Sequence, residues 1–242
     1  MDIKALTKKI LKTSALGRII YPLIQGTYRS VAIPMRRRRL QKHGLKTLEH
    51  VHSVLSRNNI KYFIDFGTLL GFVRENGFIK HDDDIDLSIY PGQSIRPCEL
   101  LKCFLDNGFT YVHAFSVREK IYEFTVRDTN QLTVDVFFPR ITDEPGVMAG
   151  PDIFWDSERE YPSETANTIL EPRYHIPSGV KLRDFNGVKV SIPESPDKLL
   201  VDEYGDNWQT PISNYVAKEV IPSPELDCFA FRLTEEEALS LR

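Results

Sequence analysis

Residues 63–89 read FIDFGTLLGFVRENGFIKHDDDIDLSI, and the spacing of their apolar, glycine and acidic positions decides the fold. The run from Ile60 to Phe66 predicts a strand punctuated by Gly67, and residues 68–76 predict a short helix stopped by Gly77. From His81 a strand-like alternation resumes. It turns Ile85, Leu87 and Ile89 toward a core and leaves Asp84, Asp86 and Ser88 on the opposite face.

Two carboxylates at i and i+2 on one strand face project side by side. They suit a hard divalent cation that completes its shell with water and substrate phosphate, and without one they repel. A DxD tripeptide alone also reads as a solvated acidic loop, so its surroundings matter. Asp135 interrupts the otherwise apolar strand Leu132 to Phe138, where an unpartnered carboxylate is costly to bury. It reads as a third cation ligand or as the base that takes a nucleophile's proton; the alternative is a salt bridge to a core Arg or Lys. Where the chain passes through Gly67 into the helix, free N–H groups can bind phosphate and the Thr68 hydroxyl can donate to it. Arg74 has a fork suited to a diphosphate, or to a bridge with Asp65 or another acid. His81 reads as a surface hydrogen bonder outside the catalytic set.

Working outward, Leu45, Leu48, Val51 and Leu55 predict a helix over 40–58, and residues 99–107 predict another. KIYEFTVR at 120–127 and QLTVDVFFPR at 131–140 read as a hairpin, with its turn at Asp128 to Asn130. The stretch 141–177 lacks clean periodicity and reads as loops with short elements covering the site. DFNGVKVSIP at 184–193 predicts a hairpin turning at Asn186-Gly187, and 195–205 a helix with Pro196 in its first turn. A chain of 242 residues, 41% hydrophobic and without repeats, suits one catalytic domain with an appendage. Its three cysteines form neither a disulfide framework nor a CxxC pair, so a reducing cytoplasm is the natural compartment.

The appendage is basic. Residues 1–46 carry twelve Lys and Arg against one acid, leaving nineteen bases against 33 acids in the remainder. Ile3, Leu6, Ile10, Leu16, Ile19, Ile20, Leu23 and Ile24 recur at roughly helical spacing with lysines between, which predicts a basic amphipathic helix over 3–24. Such a helix, strengthened by Arg36 to Arg39, can lie on an anionic membrane surface. It can also pack its apolar face on the main domain and leave the arginines solvated. No nucleic-acid-binding motif accompanies the charge, and neither a signal peptide nor a membrane span is expected. The expected division is a basic segment, 1–44, and a catalytic domain, 45–242.

A Gly-Thr turn opening a helix, an hDxDh strand and a later hDh strand together resemble the nucleotidyltransferase superfamily. Within it, the DxGTLLGxxRxxGFI and DDDID elements of residues 65–86 closely resemble LicD-type proteins. That family includes bacterial phosphocholine transferases and the fukutin and fukutin-related ribitol-phosphate transferases. FNGVKVSIPESPDKLLVDEYGDNWQTP at 185–211 resembles its closing segment, with Tyr204, Gly205 and Pro211 in familiar places, while His81 stands where the family often has Trp.

The resemblance implies an α+β fold, a nucleotidyltransferase-like mixed β-sheet flanked by helices, with the basic helical segment outside it. It implies that Asp84 and Asp86 hold magnesium or manganese with Asp135 as third acid, that Gly67, Thr68 and Arg74 border the donor phosphates, and that Asp82 and Asp65 support them. The implied reaction moves phosphocholine or a polyol phosphate from a CDP-linked donor to a glycan or lipid-linked glycan, at the inner face of the cell membrane. Two other readings stay open: a nucleotidyltransferase acting on a triphosphate and a small molecule, and a non-catalytic membrane- or glycan-binding module. Trp155 and Trp208 read as a choline cage or as core.

Overall fold

The structure is a computed structural model that describes residues 15–117, 119–150, 152–154, 166–170, 172–212 and 229–241. In chain order its elements begin with α1 (Ala15–Arg57), β1 (Tyr62–Ile64), α2 (Phe66–Glu75), β2 (Ile85–Ile89) and α3 (Pro97–Asp106). The strands β3 (Thr110–Val117), β4 (Lys120–Arg127), β5 (Thr133–Phe137), β6 (Arg140–Ile141), β7 (Val147–Ala149) and β8 (Asp152–Phe154) follow. The remainder is β9 (Ala166–Leu170), β10 (Arg173–His175), β11 (Val180–Phe185), β12 (Val188–Pro193), α4 (Pro196–Tyr204), β13 (Phe229–Leu233) and α5 (Glu235–Ser240).

Eight strands form the main sheet in the order β1-β2-β5-β4-β3-β13-β9-β8, and helices pack against it, which bears out the mixed α+β architecture. Every neighbouring pair in it is antiparallel except β2 and β5, which run parallel. The alternation read from the sequence holds on β2, where Ile85, Leu87 and Ile89 are buried in the core. On β5 the core residues are Val134 and Val136, and on β4 they are Phe124 and Val126. The two acidic strands thus share one apolar underside, which fixes them as neighbours. The hairpin β11–β12 turns at Asn186 and Gly187, whose φ values of 50° and 91° are those a two-residue type I′ turn requires.

Where the apolar spacing predicts separate helices at 3–24 and 40–58, one continuous helix of 43 residues, α1, runs from Ala15 to Arg57; residues before Ala15 lie outside those described. The intervening stretch holds Gly26 and Pro34, both poor helix formers, beside Ala32, Met35 and four arginines, so neither propensity nor amphipathic patterning makes the continuity of α1 legible in the sequence. The second half of α1 is bound to the domain through Leu40, Leu48, Val51 and Leu55, all fully buried, and the Thr47 hydroxyl donates to Asp128 Oδ2 at 2.6 Å. β3 and β13 escape the sequence reading, and β7 to β10 fall in the stretch read as loops with short elements. Register shifts between Tyr111 and His113 and between Phe115 and Ser116 account for β3, because each shift breaks the period of two on which strand recognition depends.

Among the described residues no helix is long and apolar enough to cross a membrane. Trp208 is 6% exposed and belongs to the core, whereas Trp155 lies outside the described residues.

Gly71 is where the loop after α2 crosses back over the helix. A Cβ there would collide with the Gly77 carbonyl oxygen and lie 3.0 Å from Ile79 N. Both neighbours are backbone and cannot swing away, so Gly71→Ala is expected to destabilise the fold by about 1–3 kcal/mol. A thermal melt should show the midpoint falling by about 2–4 °C per kcal/mol; an unchanged midpoint would contradict this packing.

Candidate active site

The site is assembled at the end of β2 by three local devices. Asp65 caps α2, its Oδ1 accepting from Phe66 N at 3.1 Å, while Ser88 Oγ donates to its Oδ2. Phe66 turns the chain from strand to helix at φ 42°, a left-handed conformation that strains a bulky residue. Thr68, fully buried, accepts the Asp86 N–H on its Oγ1 at 2.9 Å, and Asp65 N donates to Asp86 O at 3.0 Å. The start of α2 is thereby pinned to the strand that carries the acids.

Gly67 occupies the first turn of α2, where a Cβ would meet Asp82 Oδ2 at 2.5 Å. Its bareness lets the carboxylate sit against a helix N-terminus, whose dipole favours negative charge. Carboxylate oxygens of Asp82, Asp84 and Asp86 lie within 4.8 Å of one another. Asp135 is beside them, directly across from Asp86 in the parallel β2–β5 register. The acids read from the sequence are therefore brought together, and Asp82 stands among them. Arg74 is placed differently: it pairs with Glu75 at 2.8 Å and donates to Trp208 O at 3.4 Å, one of the two roles its position allowed.

Burial and mutual repulsion disfavour ionisation throughout the cluster. Burial, then the Asp84 charge, pushes Asp82 up to about 8. Asp84 is raised by burial and by Asp83, with Arg36 pulling the other way, and Asp86 is raised well above the usual carboxylate range by burial and its acidic neighbours. Asp135 goes up to about 7 through burial, then Asp84 and Glu123; Glu123 itself goes up to about 7. Tyr204, brought by α4, is held well above its ordinary value by burial and by Glu203 and Asp86, so it stays a protonated phenol beside the acids.

Several participants had no signature in the sequence reading. Thr125 Oγ1 donates to Asp135 Oδ1 and lies 2.9 Å from His113 Nε2. Thr125 has one hydroxyl proton, so with that O–H donated to Asp135 its oxygen accepts Nε2–H from His113. Burial depresses His113 to about 4, which keeps the ring neutral and makes its 3.6 Å approach to Glu123 a polar contact rather than an ion pair. Arg36, from α1, pairs through Nε with Asp83 Oδ2 at 2.9 Å and through Nη2 with Asp84 Oδ2 at 3.5 Å. One signal was available: Arg36 lies four residues before the buried Leu40, on the stripe that α1 turns to the domain.

The donor set fits a hard divalent cation. Its ligands are all carboxylate oxygens, and Asp82 Oδ2 is buried with no hydrogen-bond partner among the described residues, an orphaned acceptor that such an ion would satisfy.

Comparison with known proteins agrees with this geometry. The family model described as LicD/FKTN/FKRP, nucleotidyltransferase domain, matches residues 59–195. An uncharacterised protein of Rickettsia prowazekii is 40% identical over 75 residues, 30% of this chain and 28% of that one. The ribitol-5-phosphate transferase FKTN of Mus musculus is 22% identical over 183 residues, 76% of this chain and 37% of that one. The human ribitol 5-phosphate transferase FKRP is 27% identical over 168 residues, 66% of this chain and 30% of that one. This chain thus spans about a third of the length of these relatives. With more than half of its residues matched by the family model and the acids of the matched region gathered at one site, the chain belongs to the LicD/FKTN/FKRP nucleotidyltransferase-domain family.

Proposed function

We propose that this chain is a transferase that moves a phosphate-linked group, phosphocholine or a polyol phosphate, from a CDP-activated donor to a hydroxyl of a cell-surface or lipid-linked glycan. The observation that supports it most is the convergence of Asp82, Asp84 and Asp86 within 4.8 Å, with Asp135 in register beside Asp86. The catalytic domain in this reading is 45–242, and the basic segment 1–44 is an appendage that leans on it through Arg36 and Leu40.

Asp82, Asp84 and Asp86, with Asp135 at their edge, would hold magnesium or manganese, which when bound supplies charge neutralisation at the phosphoryl oxygens and the departing nucleotide. Asp135 takes the acceptor hydroxyl's proton as that oxygen bonds to phosphorus, while the bond from phosphorus to the CMP oxygen breaks and CMP leaves with its electron pair. Thr125 and His113 hold Asp135 by Oδ1 for this role. Gly67 lets the Asp82 carboxylate lie against the first turn of α2, at the border of the place donor phosphate would take, and Thr68 fixes the strand that presents Asp86.

The basic segment is the proposed contact with an anionic membrane surface, making the protein peripheral on the cytoplasmic face. Val31 and Met35, 54% and 47% exposed, follow one helix face to exposed Arg38, an apolar and basic strip suited to a headgroup layer. Co-sedimentation with phosphatidylglycerol vesicles should be lost on Met35→Glu and weakened by salt; binding that ignores both would refute the strip.

The decisive assay measures nucleoside monophosphate release from CDP-choline, CDP-ribitol and CDP-glycerol, and pyrophosphate release from nucleoside triphosphates, with magnesium or manganese. CMP from one CDP donor is the expected result, with Asp84→Asn and Asp135→Asn each slower by about 100-fold or more. Pyrophosphate release would replace this reading with nucleotidyl transfer, and binding without turnover would replace it with a binding module.

Cation binding should depend on pH. Asp82 and Asp135, raised to about 8 and about 7, carry protons at pH 6 that a cation must displace. Manganese affinity is therefore expected to strengthen from pH 6 to pH 8, as should the cation-induced rise in melting temperature. A pH-independent affinity would place the cation elsewhere.

A further inference from the structure

Of the arginines at 36 to 39, Arg36 is the one turned to the acids. Its Nε is 2.9 Å from Asp83 Oδ2, and its Nη2 is 3.5 Å from Asp84 Oδ2 and 3.4 Å from Thr133 Oγ1. The side chain is 37% exposed, so the guanidinium sits on the rim of the acidic site, between carboxylates and solvent. Arg74, the arginine expected there from the sequence, is committed to Glu75 and Trp208.

A guanidinium and a divalent cation are rivals for one carboxylate oxygen. When a cation takes Asp84, Nη2 is repelled from it, but the Nε contact with Asp83 still anchors the side chain at the rim. The outer edge of the fork then has no carboxylate to face, and the anion entering from that side carries phosphate oxygens, to whose geometry a guanidinium is matched. We propose that Arg36 is a donor-binding residue: it is the counter-ion of Asp84 until a divalent cation takes that carboxylate, and then, anchored through Asp83, it binds the phosphate oxygens of a nucleoside diphosphate donor. The inference rests on the transferase reading for the class of donor and adds a residue from outside the family-matched segment. It makes α1 part of the site, since the helix that carries Arg36 is seated on the domain by Leu40, Leu48, Val51 and Leu55.

The test is calorimetric titration of the full chain and of Arg36→Gln and Arg36→Lys with three probes: manganese alone, then CDP and inorganic pyrophosphate in saturating manganese. Arg36→Gln should bind manganese up to about fivefold tighter, because a competing charge at a partly exposed pair is gone. It should bind both diphosphates about 10- to 100-fold more weakly, because charge-assisted hydrogen bonds are lost. Arg36→Lys should keep wild-type manganese affinity and recover only part of the diphosphate binding. Opposite movements in the two affinities are the signature, since an arginine that merely braced the acids would weaken both on removal. Manganese affinity that is unchanged or lower in Arg36→Gln overturns the proposal, and so does unchanged diphosphate affinity. Wild-type protein that binds manganese and pyrophosphate but not CDP overturns the cytidine donor alone; wild-type protein that binds no manganese overturns the cation site and this role together.

Discussion

The structure depends on confining like charge to one partly buried place. Asp82, Asp84, Asp86, Asp135, Asp65 and Glu123 crowd one end of the sheet, and burial raises each of them above the ordinary carboxylate range. Nothing in such a cluster favours folding by itself. The opposing free energy comes from the other face of the same strands, where Ile85, Leu87, Val134 and Val136 are fully buried. Burying each such side chain contributes about 1.5–3 kcal/mol. The residues that cannot ionise comfortably thus alternate, one by one, with those that drive the collapse.

That alternation is why the centre of the molecule was legible. Period two on β2, the lone Asp in an apolar β5, the Asn-Gly turn and the glycine at the head of α2 each state a local requirement that few residue types meet. Parts defined by tertiary contact were not legible. The relay from His113 through Thr125 to Asp135 joins β3, β4 and β5, and the β-bulges hid β3 as a strand. Arg36 reads as one of four arginines that together dock on a membrane surface or stay solvated, because composition treats a basic run as a unit, whereas a helix sorts it by angle. Arg74 shows the converse: its place near the end of α2 was legible, but its partner, the adjacent Glu75, was not.

The continuous α1 changes how the appendage relates to the domain. Charge counting divides the chain near residue 44, but the stripe through Arg36, Leu40, Thr47, Leu48 and Val51 crosses that point without a break. Whatever the basic end touches is joined by one continuous helix to the arginine on Asp83 and Asp84, with Pro34, two residues before it, leaving that helix one backbone hydrogen bond short. The same residues that appear electrostatically as a tail are mechanically part of the site.

The parallel pairing of β2 and β5 carries the last constraint. Every other neighbouring pair in the main sheet is antiparallel, and the exception is the pair that sets Asp86 opposite Asp135. Because side chains alternate with period two, a slip of one residue in β5 would turn Asp135 into the core and bring Val134 or Val136 to the acids. The slipped state would bury a carboxylate among Phe124, Val126 and Leu87, so the hydrophobic pattern itself forbids it. The geometry of the site is in this sense enforced by its apolar neighbours: the register that best fills the core is the one that assembles the acids.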